Sequence, residues 1–393
     1  MSTTRSRRHC VIARAPARRS APVIALSGLV ALAVAMGIGR FAFTPILPMM
    51  QEDAGVSIVT GGWLASANYL GYLAGALSVI WWRIAAPIGI RIGLATIGLA
   101  TLAMGLEQYL AAWLVLRALA GVASAWVLIY VSAWALEHLA ALERPALGNT
   151  VYAGVGTGIA LAGGLCLAVM HVGAGSARAW IVLGVISIVL SVGVWSVFRG
   201  STGSPAAAAE RPADRGMVWD RESLRLVLCY GAFGFGYIIP ATFLPVMAKQ
   251  VIRDPAVFGW SWPLFGAAAM GSTLTSAMLR SLVTTRRLWI ISHLVMAFGV
   301  VLPVVWSGIV PIMLAALFVG GTFMVITMVG MQEARGVGGP RATGLMAALT
   351  SAFALGQIAG PISVSLVVGA GGNVSAALVI ACVALVISAY ALT

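Results

Sequence analysis

The chain has 393 residues, is 61% hydrophobic and only 9% charged, and has a mean hydropathy of +1.00. No soluble domain of this length carries so little charge, and repeated long apolar runs define a polytopic membrane protein. The formal net charge of +13 is scattered rather than gathered on a basic face, which argues against nucleic acid as a partner.

The first twenty residues hold six arginines and no acid. They read as a basic cytoplasmic tail, 1–20. A transit peptide is an alternative; a signal peptide fits less well, because the apolar run continues past Arg40. Apolar segments of spanning length follow at about 22–49, 60–81, 87–106, 108–135, 148–170, 179–198, 223–248, 257–279, 288–306, 308–331, 342–369 and 374–392. This predicts an all-α polytopic membrane protein of twelve transmembrane helices. Six form an N-terminal bundle over 21–198 and six a C-terminal bundle over 223–393, joined by a polar cytoplasmic linker over 199–222. Loop charge agrees with this count. Nineteen basic residues fall in the segments that would face the cytoplasm and three, Arg178, Lys249 and Arg253, in those that would face outward. The positive-inside rule then puts both termini in the cytoplasm.

The run MGIGRFAFTPILPMM, Met36 to Met50, closes the first apolar segment and contains a full charge, Arg40. At about 1.5 Å per residue, Arg40 lies about 15 Å from the first acids, Glu52 and Asp53, roughly half of a hydrocarbon core. A guanidinium at that depth costs several kcal/mol unless it faces a cavity or a partner. Gly37 and Gly39 before it permit close packing, and Pro45 and Pro48 after it permit a bend. The run has an echo at Gly234 to Met247 with one offset, 197, which also relates Gly62-Trp63 to Gly259-Trp260, Arg144 to Arg341 and Gly163 to Gly360. The chain is read as an internal duplication. At position 40 the copies differ, Arg40 against Tyr237, which points to a task the two halves do not share.

Arg117 is the second charge inside an apolar run, at a similar depth on helix 4. Two such arginines with few acids nearby make a positive site, and a carboxylate is the natural complement of a guanidinium. The structural alternative is that each arginine is tied to helix carbonyls or to a carboxylate and holds the bundle together. Glu107, near the outer end of helix 3, is a candidate proton carrier, so proton coupling is open. Glu137 and Glu333, at the inner ends of helices 4 and 10, are gate or helix-end candidates with Arg144 and Arg341. Further polar groups at depth include Asn68, Tyr69, Tyr130, Asn149, Tyr152, Tyr237, Thr327 and Gln357; each alone is more often an interhelical hydrogen bond than a ligand contact. Of these, Asn68, Tyr130, Tyr237 and Gln357 join Arg40, Arg117 and Glu107 as candidate binding or coupling residues.

The glycine run GVGTGIALAGG, Gly154 to Gly164, lies inside a span and is read as close helix packing, not as a nucleotide loop. Trp63 and Trp260 are read as interface anchors. Asn373-Val-Ser375 matches a glycosylation sequon, a weak signal. Cys10, Cys166, Cys229 and Cys382 are scattered, so neither a metal nor a cofactor is expected, and no ATP-binding motif occurs.

Two similar six-helix halves joined by a polar linker resemble the major facilitator superfamily. Arg117-Ala-Leu-Ala-Gly121 is similar to that superfamily's helix 4 motif, which is associated with proton coupling. The helix 5 glycine run is similar to its antiporter motif but lacks the Gly-Pro. The loop WWRIAAPIGIR departs from the family's acidic and basic pattern. More narrowly, GIGRFAFTPILPMM, GGWLASANYLGYLAGAL and LRALAGVASAWVLIY resemble the YbfB/YjiJ group of bacterial transporters. The resemblance implies a multi-pass protein of the bacterial inner membrane, with helices 1, 4, 7 and 10 lining a cavity that Arg40, Arg117 and Tyr237 face. The leading expectation is a secondary transporter of a small organic anion, working by alternating access. Efflux of amphipathic compounds is the first alternative. A membrane enzyme or sensor is the second, disfavoured because only His293 is plainly intramembrane and it has no acidic neighbour.

Overall fold

The computed structural model describes residues 20–82, 84–199, 219–251, 260–279, 282–306, 308–371 and 373–393, with side chains at most of these positions. The basic tail, Arg83, Arg253, Gly259, Arg280, most of the linker and the side chains of Leu244, Pro245, Met247 and Lys249 lie outside the described residues. In a bilayer every backbone N–H and C=O must be satisfied within the segment. The described chain meets that demand with helices: α1 (Ala21–Asp53), α2 (Ile58–Trp81), α3 (Ala86–Leu106), α4 (Leu110–Ala141), α5 (Gly148–His171), α6 (Ser176–Trp195), α7 (Arg221–Val251), α8 (Ser261–Leu279), α9 (Thr285–Val305), α10 (Ile309–Gly338), α11 (Ala342–Gly369) and α12 (Val374–Ala391).

Among the described residues, ten stretches are long and apolar enough to cross a membrane. The difference from the expected number has two sources. The stretch Ile309–Val364 is 56 residues long and runs through the single-turn 3₁₀ break Gly339–Arg341. Helix α8, diluted by Ser272, Thr273, Thr275 and Ser276, is not among the ten. Helices α4 and α10 also run past their expected ends at 135 and 331, to Ala141 and Gly338. The added turns carry Glu137 and His138 in one and Glu333 and Arg335 in the other, polar residues that extend a helix beyond an apolar layer without cost.

Packing follows a repeating scheme. Helix α1 packs on α5 as α7 packs on α11; α2 packs on α4 as α8 packs on α10; α3 packs on α6 as α9 packs on α12. Two further seams, α5 with α8 and α2 with α11, join the first six helices to the last six. Small residues make the α1–α5, α7–α11 and α5–α8 contacts. A Cβ on Gly37 would strike the backbone of Gly158, and one on Gly234 the backbone of Phe353, so the two echo glycines fill equivalent positions. The run Gly154–Gly164 serves two neighbours at once. Gly154 and Gly158 face α1 at Leu29 and Ala33, while Gly156 and Gly163 face α8 at Gly266, Met270 and Pro263. Close backbone approach of this kind is the main source of helix adhesion where lipid competes equally well for apolar side chains.

Helix α1 is not continuous. Residues Ala33–Ile38 form a wide π turn, with Gly39 N donating to Val34 O (2.9 Å) and Phe41 N to Met36 O (3.0 Å). A non-helical turn follows, and the α-helix resumes at Phe43. The break therefore begins at Ala33, well before the bend expected near Pro45 and Pro48. Pro45 has no N–H for the carbonyl four residues back, Phe41 O, which accepts instead from Thr44 N (3.2 Å). At the far end of α1, Asp53 accepts from the N–H and the hydroxyl of Ser176 and so caps α6 with a carboxylate. Asn373 caps α12 by accepting from Ala376 N (3.0 Å), which gives the sequon asparagine a structural task.

Candidate functional site

Arg40 sits in the broken turn of α1 and is 3% exposed. Its guanidinium carbon lies 3.8 Å from the Tyr72 ring centre, 5.7 Å from both Phe41 and Tyr69, and 5.9 Å from Phe353. Nη2 donates to Gln357 Oε1 on α11, which ties α1 to the last six helices. Nε and Nη1 find no hydrogen-bond partner, and no carboxylate pairs with this guanidinium among the described residues. Cation–π contact with desolvated rings contributes about 2 kcal/mol or more. That offsets only part of the several kcal/mol cost of a buried charge.

Tyr237 joins this group from α7. Its ring stacks on Phe323 of α10 (5.1 Å, 17°) and lies 6.2 Å from Phe353, while Phe41 meets Phe323 edge-on at 5.9 Å. The stack continues through Phe265 to Trp262 on α8. Arg40, Gln357 and Tyr237 are thus brought together around Phe353 and Phe323, with helices α1, α2, α7, α10 and α11 each contributing a side chain. Tyr69 lies within electrostatic reach of both Arg40 and Arg117.

Arg117, also 3% exposed, does something different. Nη1 donates to Gly39 O (3.3 Å) and Nη2 to Arg40 O (3.5 Å), and the guanidinium covers the Phe43 ring at 4.5 Å. These carbonyls lie in the non-helical turn, so Arg117 caps the break in α1 from the neighbouring helix. Asn68 of α2 donates to Arg117 O (3.0 Å) and locks α4 to α2 beside Gly121, whose missing Cβ lets the two backbones meet. Arg117 is thus bound to helix carbonyls, whereas Nε and Nη1 of Arg40 have no hydrogen-bond partner among the described residues.

The other candidates lie elsewhere. Tyr130 covers Gly89 of α3, its hydroxyl buried without a partner among the described residues. Glu107 is exposed at the C-cap of α3, where its backbone carbonyl accepts from Trp113 Nε1 (3.0 Å). Glu137, Arg144 and Arg341 are exposed at helix ends. Glu333 pairs with Arg286 of α9 (3.0 Å) rather than with Arg341, because Arg341 lies out in the 3₁₀ turn; Arg286 also pairs with Glu222, and Glu222 with Arg225. Sequence reasoning missed several contributors, Phe323 among them. Tyr72 and Phe353 are ring residues with no marker of function in an apolar run. Asn149 reads in the sequence only as a polar group at depth; in the structure it ties the α5–α8 seam, donating to Thr273 O (3.0 Å) and Ser276 Oγ (2.8 Å). His293, fully buried, is held by Trp289 O and Ser388 Oγ, each at 3.2 Å.

Many helices long and apolar enough to cross a membrane, packed in a paired scheme, define a multi-pass membrane protein. A model of the family described as "Uncharacterised MFS-type transporter YbfB" matches residues 32–393, nearly all of the chain beyond the tail. The chain belongs to that family of the major facilitator superfamily. No curated protein matches it.

Proposed function

We propose that the chain is a secondary transporter that carries a small organic anion across a bacterial inner membrane by alternating access. In this reading the bilayer is crossed twelve times, α8 included. The bundles 21–198 and 223–393 rock about the α5–α8 and α2–α11 seams, linked by 199–222, with both termini in the cytoplasm. The paired packing scheme and the distribution of basic residues support it.

The observation that carries the proposal is the state of Arg40: buried, unpaired with any carboxylate among the described residues, and with Nε and Nη1 unpartnered. Arg40 is the anion-binding group. Arg117, with Asn68 behind it, holds the broken turn that presents Arg40. Tyr237 and Phe353 form the wall opposite. Gln357 is the cargo's surrogate: an anionic oxygen that takes its place on Nη2 cuts the tie between α1 and α11 and frees the two bundles to move. Proton coupling, if used, enters through Glu107 at the outer mouth. Glu137, Arg144, Glu333 and Arg341 belong to the cytoplasmic ends that open and close.

The test is uptake of a panel of radiolabelled organic acids into proteoliposomes. Wild type and Glu107→Gln should both show counterflow if coupling is separate from binding; Arg40→Gln should show none while eluting as a folded monodisperse protein. Equal uptake by Arg40→Gln and wild type overturns the anion site. The continuous stack of Tyr237, Phe323, Phe265 and Trp262 favours one competitor, extrusion of amphipathic compounds. Drug efflux that survives Arg40→Gln, with no organic acid transported, would decide for it.

A further inference from the structure

Away from Arg40, α3 and α6 leave an open groove between them. It has a volume of about 520 Å³ and adjoins a second hollow of about 310 Å³ that shares Ala95, Leu99 and Trp195. Its floor and sides are apolar, with Leu94, Ala95, Leu99, Ile188 and Val192 along its length. The groove exists because the helices are drawn together at Gly98 and Gly184, where a Cβ would strike Ile188 and Leu102. Small residues nearby, Ala95 and Ser191, then leave a notch.

One end of the groove is basic. Arg91 sits in the first turns of α3, half-buried, with Nε donating to Pro87 O (3.4 Å) and its guanidinium 5.7 Å from the Trp195 ring. Arg199 lies just past the end of α6 and is exposed. Neither makes an ion pair among the described residues. This is the end of the bundle at which α1 begins and α12 finishes, the cytoplasmic end in the charge reading. The feature is not a by-product of the repeat. Carried forward by 197, Arg91 and Trp195 become Leu288 and Leu392, both buried.

We propose that this groove is a binding site for an anionic phospholipid of the cytoplasmic leaflet. The phosphate lies between Arg91 and Arg199, and one acyl chain runs along Leu94, Leu99 and Val192 toward the bilayer centre. Charge complementarity selects the head group, since basic pockets between helices on the cytoplasmic side recognise anionic lipid heads. The apolar length beyond the arginines selects a lipid over a free phosphate. Trp195, with its ring 5.7 Å from the Arg91 guanidinium, marks the depth of the head group. Bound lipid ties α3 to α6 on the outside of the first six helices, away from Arg40.

The test uses the full chain purified in detergent, with dioleoyl-phosphatidylglycerol, dioleoyl-phosphatidylcholine and glycerol phosphate as probes, read by native mass spectrometry and by thermal unfolding. Phosphatidylglycerol should be retained and should raise the unfolding temperature. Its apparent affinity should fall about tenfold or more in the Arg91→Gln/Arg199→Gln double variant and stay unchanged in Arg287→Gln, a control at an exposed arginine of the other half. If the double variant is poorly folded, Leu99→Trp, which fills the groove and leaves both charges, should lower lipid retention instead. Equal retention of the two lipids, or wild-type retention by both the double variant and Leu99→Trp, overturns the proposal. Glycerol phosphate competing as well as the lipid would reassign the site to free phosphates.

Discussion

Replacing Arg117 by methionine separates support from binding. The change keeps most of the side chain's length and removes the charge. It deletes donors to Gly39 O at 3.3 Å and Arg40 O at 3.5 Å and the contact over Phe43 at 4.5 Å. Both hydrogen bonds are long, so each falls below the usual charge-assisted range and contributes about 1 kcal/mol; the cation–π contact adds about 1 kcal/mol. Against this loss of about 3 kcal/mol stands relief from burying a charge whose Nε has no partner, so the net destabilisation of the turn is about 1–3 kcal/mol. The effect is local. Opening of residues 33–42 should rise about tenfold to a hundredfold, seen as faster amide hydrogen exchange there, while α9 and α12 exchange at the wild-type rate. Anion affinity should weaken because Arg40 is no longer held, and an anion at high concentration should restore part of the protection. Unchanged exchange at 33–42 together with lost anion binding would refute the reasoning, since Arg117 would then act on the cargo and not on the turn.

Other consequences follow from the seams and the helix ends. Gly158→Ala should destabilise the fold by about 1–3 kcal/mol, because its Cβ would meet the backbone of Ala33 and Gly37, whereas Gly164→Ala, with open space around it, should be neutral; thermal unfolding in detergent checks the pair. Asn149→Ala removes two donations across the α5–α8 seam and should shift the equilibrium between bundle arrangements severalfold, for a loss of about 1 kcal/mol, read by single-molecule distance measurements between the cytoplasmic ends of α5 and α8. Asp220 accepts from Ser223 N at 2.7 Å, and this hydrogen bond holds its carboxyl below the ordinary 3.8. A depressed carboxyl stabilises above its unfolded value and loses that contribution as pH falls through the folded one. The start of α7 should therefore fray only below about pH 3.8, and Asp220→Asn should abolish that acid-dependent step in hydrogen exchange.

Much of the fold was legible in the apolar runs, because lipid demands helices of a fixed minimum length and hydropathy reports that demand directly. The offset of 197 was legible because glycines that let backbones meet cannot be replaced without a clash; Gly37 and Gly234 show this at equivalent seams. Helix α8 reads as a span from its length and position, while its hydroxyl-rich sequence keeps it out of the ten stretches apolar enough to cross a membrane. Arg40 stood out because a charge at depth is costly. Its surroundings did not stand out, since Gln357 lies 317 residues away and the rings of Tyr72 and Phe353 look like any apolar filling. The two roles available to Arg117 could not be separated without the π turn, which depends on how α1 meets α4 and α5 rather than on composition. The partner of Glu333 was misjudged for a similar reason: Arg341 is nearer in sequence, but α9 brings Arg286 alongside.

The central claim is that the Arg40 guanidinium, buried and short of acceptors, receives a negatively charged cargo. Equilibrium binding of labelled organic acids to the purified protein, compared among wild type, Arg40→Lys and Arg40→Gln, tests it most directly. The account predicts saturable binding to wild type, weaker binding to Arg40→Lys, which keeps the charge but not the fork, and none to Arg40→Gln, with all three unfolding as single cooperative species. Binding of the same acids to Arg40→Gln with wild-type affinity would contradict it.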